Sequence, residues 1–268
     1  MADIVQTTPA VRHVAHAEHP EHGSPWPIIL AGGLGLLAAG VLNLIWKTKY
    51  GFPLLVTGGT IFLLAVSNWA HTLISEKNIL ENLLVDETWM KNGMKLFLIS
   101  EAAIFGAFFA HHYYARVHSL VWPPAGAPHL ETRLPALATL ILMTSSGTCQ
   151  WAHNLLRKGK HIASQRGILL TMVLGILFLG AQGYEWGFLK AYDDFTVKNG
   201  TFGTSFFIMT GFHGLHVSLG IVLLSIVYVR LRLGHFTPER HFSMIAASWY
   251  WHFVDFVWIF LFGTMYLI

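Results

Sequence analysis

An all-α integral membrane protein with seven transmembrane helices is the fold class this sequence predicts, and three observations predict it. Of its 268 residues 54% are hydrophobic and only 12% charged, about half the charge of a typical soluble domain. The mean hydropathy is +0.51. Seven apolar runs are each long enough to cross roughly 30 Å of hydrocarbon, which takes about 20 helical residues. Backbone groups in lipid must be satisfied within their own segment, so runs of this length and character read as helices.

The runs are Trp26–Trp46, Phe52–Ile74, Gly93–Ala115, Leu134–Leu156, Gly167–Leu189, Thr204–Val229 and Phe242–Ile268. Only four formal charges lie inside them, Lys95, Glu101, Glu185 and Asp255. Ahead of the first run, residues 1–24 are polar and carry His13, His16, His19 and His22. They read as a flexible His-rich cytoplasmic tail without the apolar stretch of a cleavable signal. Residues 25–75 hold the first two helices. Residues 76–92 mix Glu76, Lys77, Glu81, Asp86 and Glu87 with Ile79, Leu80, Leu83, Leu84 and Trp89, which suits a polar or interfacial connection. Residues 93–268 hold the remaining five helices as a bundle.

Of the 17 Lys and Arg residues, eleven fall on the side of the N-terminus and six on the other. The positive-inside bias therefore places the N-terminus in the cytoplasm and the C-terminus outside. The net charge of +3 comes from these short loops and forms no stripe, which argues against nucleic acid. The single cysteine, Cys149, excludes a disulfide framework or a cysteine-based metal site. Small residues recur every four positions at Ala31, Gly35 and Ala39, and again at Ala102, Gly106 and Ala110. Such ridges let helices approach closely, so they are expected to pack. No pair of helices interrupted by Gly or Pro in matching halves suggests an inverted-repeat transporter.

Ionisable groups within lipid are costly and draw attention to themselves. Glu101 lies eight residues after Gly93, about 12 Å into the membrane. A carboxyl there should be neutral unless a cation or donor meets it. His213, His216 and His252 reach similar depth, so a Glu-His contact is expected. One reading makes it a buried polar pair fixing helix register; another makes it a proton-handling or lipid-sensing site. Haem is disfavoured, because His213 and His216 are too close in sequence to ligate it as a bracketing pair. His111–His112 resembles a copper-ligand pair, but no His-Pro-Glu-Val-Tyr partner exists.

Six motifs carry a resemblance. They are Ser24–Pro27 (SPWP), Leu98–Glu101 (LISE), Trp151–His153 (WAH), Gln182–Glu185 (QGYE), Thr210–His216 (TGFHGLH) and Trp249–Asp255 (WYWHFVD). In order, spacing and position the sequence resembles subunit III of the haem-copper terminal oxidases, of the cytochrome c oxidase type, from Ser24 to Ile268. The resemblance implies helices 1 and 2 splayed from a bundle of helices 3–7, with phospholipids between. It also implies an accessory subunit, with no catalytic centre or cofactor of its own, in a proton-pumping oxidase of the aerobic respiratory chain. Haem and copper would sit in partner subunits, and subunits I and II would be its partners. The expected role is to stabilise subunit I, hold lipids and support proton uptake, in a bacterial plasma membrane.

On that resemblance the family's carbodiimide-reactive carboxyl falls on Glu101, near His213 and His216. Glu185, His252 and Asp255 are expected to be buried polar groups, and Trp69, His71, Arg230 and Arg232 to meet lipid. The loop Glu81–Lys91 departs from the family's His-His-Thr and Gln-x-Gly-Leu-Arg signatures, and the histidine tail suggests a neighbouring respiratory complex as a further partner. The competing readings are a quinol oxidase or nitric oxide reductase accessory subunit and a stand-alone proton-coupled transporter.

Overall fold

The computed structural model describes residues 25–75, 87–124, 127–128, 130–238 and 241–267. Among them are seven α-helices and no strand: α1 Trp26–Ile45, α2 Gly51–Ser75, α3 Glu87–His118, α4 Arg133–Arg157, α5 His161–Tyr192, α6 Gly200–Arg232 and α7 Phe242–Phe262. A five-residue π-helical turn, Gly263–Leu267, follows α7. The tail 1–24 and most of the connection 76–92 lie outside the described residues. Of that connection, Glu87–Asn92 belongs to α3.

Several helices are longer than the apolar runs that announce them. Helices α3, α5 and α6 have 32, 32 and 33 residues, roughly 48 Å at 1.5 Å per residue, against about 30 Å of hydrocarbon. Hydropathy marks only the part in lipid, whereas the backbone ladder continues through Lys91 and Arg166 outside it. Among the described residues five helices are long and apolar enough to cross a membrane: α2, α3, α5, α6 and α7 with its π turn. In α1 the apolar stretch is the shorter Ile28–Leu44. Helix α4 has 25 residues, but Thr139, Thr144, Ser145, Ser146, Thr148, Gln150, His153 and Asn154 dilute its apolarity. The chain is a helical membrane protein.

The chain divides into two compact units, residues 1–85 and 86–268. In the first, α1 and α2 form a close antiparallel pair. A Cβ at Gly33 would come 2.9 Å from the Phe62 backbone nitrogen, at Gly40 2.7 Å from that of Leu55, and at Gly58 2.6 Å from that of Leu37. With Gly51, where a Cβ would come 2.7 Å from the Leu44 backbone nitrogen, these glycines make the contact. The expected ridge does not: Ala31 and Gly35 are exposed, and a Cβ on Gly35 meets nothing. Likewise Ala102, Gly106 and Ala110 are exposed on α3. A spacing of four identifies a possible face, but the neighbouring helix chooses which face is used.

In the second unit α4 and α5 pack as a hairpin whose turn is closed by Gly159 at φ 70°, a left-handed conformation that costs glycine little. Helix α7 packs against α3, α4 and α6. Its inward stripe of Met244, Ala247, Trp251, Val254, Trp258 and Leu261 is buried, at the three- and four-residue spacing of one helical face. The indole of Trp251 is 1% exposed. Its Nε1 donates to Ser145 Oγ on α4 at 3.0 Å. A Cβ on Gly175 of α5 would lie 2.6 Å from its ring, and one on Gly220 of α6 2.8 Å. One side chain thus joins four helices, and it fits because two glycines leave room for it. One turn pair further on, Trp258 Nε1 donates to Thr139 Oγ1 at 2.9 Å, with its ring against Phe178 and His213.

Candidate functional site

Helix α3 turns Leu98, Glu101, Phe105 and His112 to one side, where Phe105 and His112 are buried. On that side Glu101 Oε2 lies 3.0 Å from His216 Nε2 of α6, the carboxylate side chain 16% exposed and the imidazole 6%. The other ring nitrogen of His216, Nδ1, is 2.8 Å from the Phe212 carbonyl oxygen one turn back. A carbonyl only accepts, so Nδ1 carries a proton and donates it. Two arrangements then satisfy the second nitrogen. Either a protonated Glu101 donates to a neutral His216, or a doubly protonated His216 donates to a Glu101 carboxylate. Both place a single proton between Oε2 and Nε2, and both leave the pair with zero net charge. This is how the segment tolerates a carboxyl among apolar side chains.

Aromatic rings enclose the pair. Phe105 meets the His216 ring at 5.0 Å edge-on, Phe212 at 4.8 Å, and Tyr250 of α7 stacks at 6.3 Å. The Tyr250 hydroxyl donates to the His216 carbonyl at 3.3 Å. Sequence spacing left open which histidine would meet Glu101, and the structure selects His216 alone. His213, three residues away, occupies the adjacent face of α6, fully buried against Phe178 and Trp258. Neither of its ring nitrogens has a hydrogen-bond partner among the described residues.

The other expected groups join different helices. Glu185 of α5 is buried and its Oε2 accepts from Gln182 Nε2 at 3.1 Å and from the Tyr266 hydroxyl at 2.9 Å, which ties the π turn to α5. His252 of α7 lies between Ser146 Oγ at 3.0 Å and Gln150 Oε1 at 3.3 Å, both on α4. Asp255, one turn further along α7, is buried. Arg230 donates to Ser243 Oγ and stacks its guanidinium 4.8 Å from the Phe236 ring, so it clasps the α6–α7 connection. Arg232 is exposed. Trp69 and His71 belong to α2, but their side chains lie outside those described.

The residues that bind these groups, Tyr266, Ser146 and Gln150, carry no signal of their own in the sequence. Tyr266 meets Glu185 across 81 positions, a separation no spacing rule anticipates. Among the described residues no cluster of three or more His, Cys, Asp or Glu is placed to hold a metal ion. The arrangement as it stands can hold a proton between two groups and can fasten helices together.

Comparison with known proteins places these features in context. The family described as cytochrome c oxidase subunit III matches residues 16–268. The protein named cytochrome c oxidase subunit 3 from Scyliorhinus canicula is 36% identical over 264 residues, covering 94% of this chain and 98% of the relative. Its counterpart from Patiria pectinifera is 37% identical, covering 91% and 96%, and that from Oncorhynchus mykiss 36%, covering 95% and 98%.

Proposed function

Since the chain belongs to the cytochrome c oxidase subunit III family, we propose that it serves that oxidoreductase complex as a non-redox accessory subunit. It stabilises subunit I, contacts subunit II within the assembled enzyme, and supports proton uptake by the complex. Haem and copper belong to those partners, and electrons do not pass through this chain. Phospholipids are held on its surface, where the exposed Arg232 offers a headgroup contact by charge-assisted hydrogen bonding. The chain sits in a bacterial plasma membrane with its N-terminus in the cytoplasm, as the distribution of Lys and Arg favours.

The observation that carries this reading is how the intramembrane ionisable groups are used. Glu101 is matched by His216, Glu185 by Gln182 and Tyr266, and His252 by Ser146 and Gln150. Apart from Gln182–Glu185, which lies within α5, these bonds join different elements of the bundle and hold it in register. A stand-alone transporter would call for such groups to face a wet passage. A quinol oxidase or nitric oxide reductase subunit would share the bundle, but the match to relatives named for cytochrome c oxidase favours the first assignment.

Purification of the tagged chain from its own membranes in mild detergent tests the reading. Oxidase polypeptides should accompany it. The reduced-minus-oxidised visible spectrum should stay with them when the chain is stripped away. Proton-coupled transport by vesicles holding the chain alone would overturn the proposal, and so would haem absorption by the stripped chain.

A further inference from the structure

The turn between α4 and α5 gathers positive charge with nothing to offset it. Arg157, Lys158, Lys160 and Arg166 follow one another closely, and all four are exposed. Among the described residues none of them forms an ion pair, and the first turn of α5 holds no acidic residue. Arg157 and Lys158, at the C-terminal end of α4, are favoured by the helix dipole. Lys160 is not: it is the N-cap of α5, where the backbone itself presents partial positive charge, and Arg166 follows within two turns. Cationic loops alone report topology, but a cation set against the dipole gains from an anion beside it.

The same end of α5 has room for one. Gly159, Lys160, His161, Ile162, Ala163 and Arg166 line an open hollow of about 500 Å³. From there an apolar stripe runs along α5. Ile162, Leu169, Leu170, Val173, Ile176 and Leu177 are all exposed, and Arg166 falls among them at the three- and four-residue steps of one helical face. Leu177 is eleven residues beyond Arg166, about 16 Å at 1.5 Å per residue. That is the depth of one leaflet, half of a hydrocarbon core roughly 30 Å thick. Positive charge above and apolar surface for one leaflet below outline a single amphiphile. A soluble phosphate would leave the stripe unused, and a zwitterionic lipid would leave the charge uncompensated.

We propose that the α4–α5 turn is a binding site for an anionic phospholipid, whose phosphate is held by Lys160 and Arg166 at the hollow and whose acyl chain lies along the α5 stripe. Arg166 offers a planar fork to two phosphate oxygens and Lys160 a point charge. The site lies wholly within the second unit. The inference rests on the lipid-holding part of the proposed function, to which it adds a place and the charge of the lipid.

Photoactivatable phosphatidylglycerol and phosphatidylcholine with the same acyl chains, each introduced into membranes that hold the full complex, test the proposal. After illumination, phosphatidylglycerol should label residues 157–166 at least fivefold more than phosphatidylcholine does. The variant Lys160→Gln, Arg166→Gln should lose that excess by about fivefold for each charge removed, with phosphatidylcholine labelling unchanged. Equal labelling of the unsubstituted chain by the two lipids would overturn the inference and leave these cations to topology. An undiminished excess in the variant would also overturn it, as would loss of the label on adding inorganic phosphate, which would make the ligand a soluble anion. Co-purification with oxidase polypeptides checks that the variant is folded; without it, the comparison of the two lipids on the unsubstituted chain decides alone. If the purified complex retains no phospholipid, the lipid-holding reading itself fails, whereas retained phospholipid with equal labelling defeats only the site.

Discussion

Glu101 shows how a single residue can be found in sequence and its partner still be undetermined. A lone carboxyl in the run Leu98–Phe105 is conspicuous because of its cost in lipid. His213 and His216, three residues apart, occupy adjacent faces of one helix, and only the packing of α3 against α6 tells them apart. The pair's hydrogen bonding makes a definite prediction. Glu101→Gln keeps a donor for His216 Nε2, so the variant should assemble and retain initial oxygen reduction. Loss of initial turnover in a properly assembled complex would refute this. Glu101→Leu leaves Nε2 unsatisfied, and thermal unfolding of the complex should show this chain destabilised by about 1–3 kcal/mol. Tyr266→Phe removes one of two donors to the buried Glu185. It should release the π turn first, seen as faster hydrogen exchange confined to the last residues of the chain.

At the scale of elements, the hydropathy pattern located the seven α-helices of the described residues and misjudged their extents, because it reports lipid contact and the ladder of backbone bonds does not stop at the membrane. Small residues were harder to read. Ala31, Gly35 and Ala39 have the right spacing for a packed ridge, yet Gly33, Gly40, Gly51 and Gly58 are the glycines in close contact. Nothing in a single helix says which of its faces a neighbour will take. The same holds for Trp251, whose place between Gly175 and Gly220 joins residues 76 and 31 positions away and leaves no local trace. Substituting alanine at Gly220 would press a methyl group into the indole. The expected cost is roughly 1–3 kcal/mol, read as a lower unfolding temperature of the purified chain. Gly180→Ala is the control: a Cβ there meets nothing, and alanine favours the helix by about 0.5–1 kcal/mol. Equal effects of the two substitutions would contradict the role assigned to Trp251.

For the molecule as a whole, the balance between apolar and polar side chains explains its membrane character and how its helices are held together. Burial and ring stacking between α3 and α7 form a rigid bundle, and hydrogen bonds from Ser145, Thr139, Ser146 and Gln150 fix α7 against α4. Glu101, Glu185 and His252 hold separate elements to one another, an arrangement suited to a support for the parts of an enzyme that carry electrons. Membrane character was legible in composition, and family membership in motifs such as TGFHGLH and WYWHFVD. The bonds of His252 to Ser146 and Gln150 on α4 were not, because they depend on how the helices pack.

The central claim, that this chain supports an oxidase without performing its chemistry, is tested most directly by counting turnovers. Oxygen consumption by the purified oxidase should be followed to inactivation with the chain present, after its removal, and after it is added back. The account predicts a near-equal initial rate, fewer turnovers before inactivation when the chain is absent, and recovery when it returns. Equal lifetimes with and without the chain would contradict it.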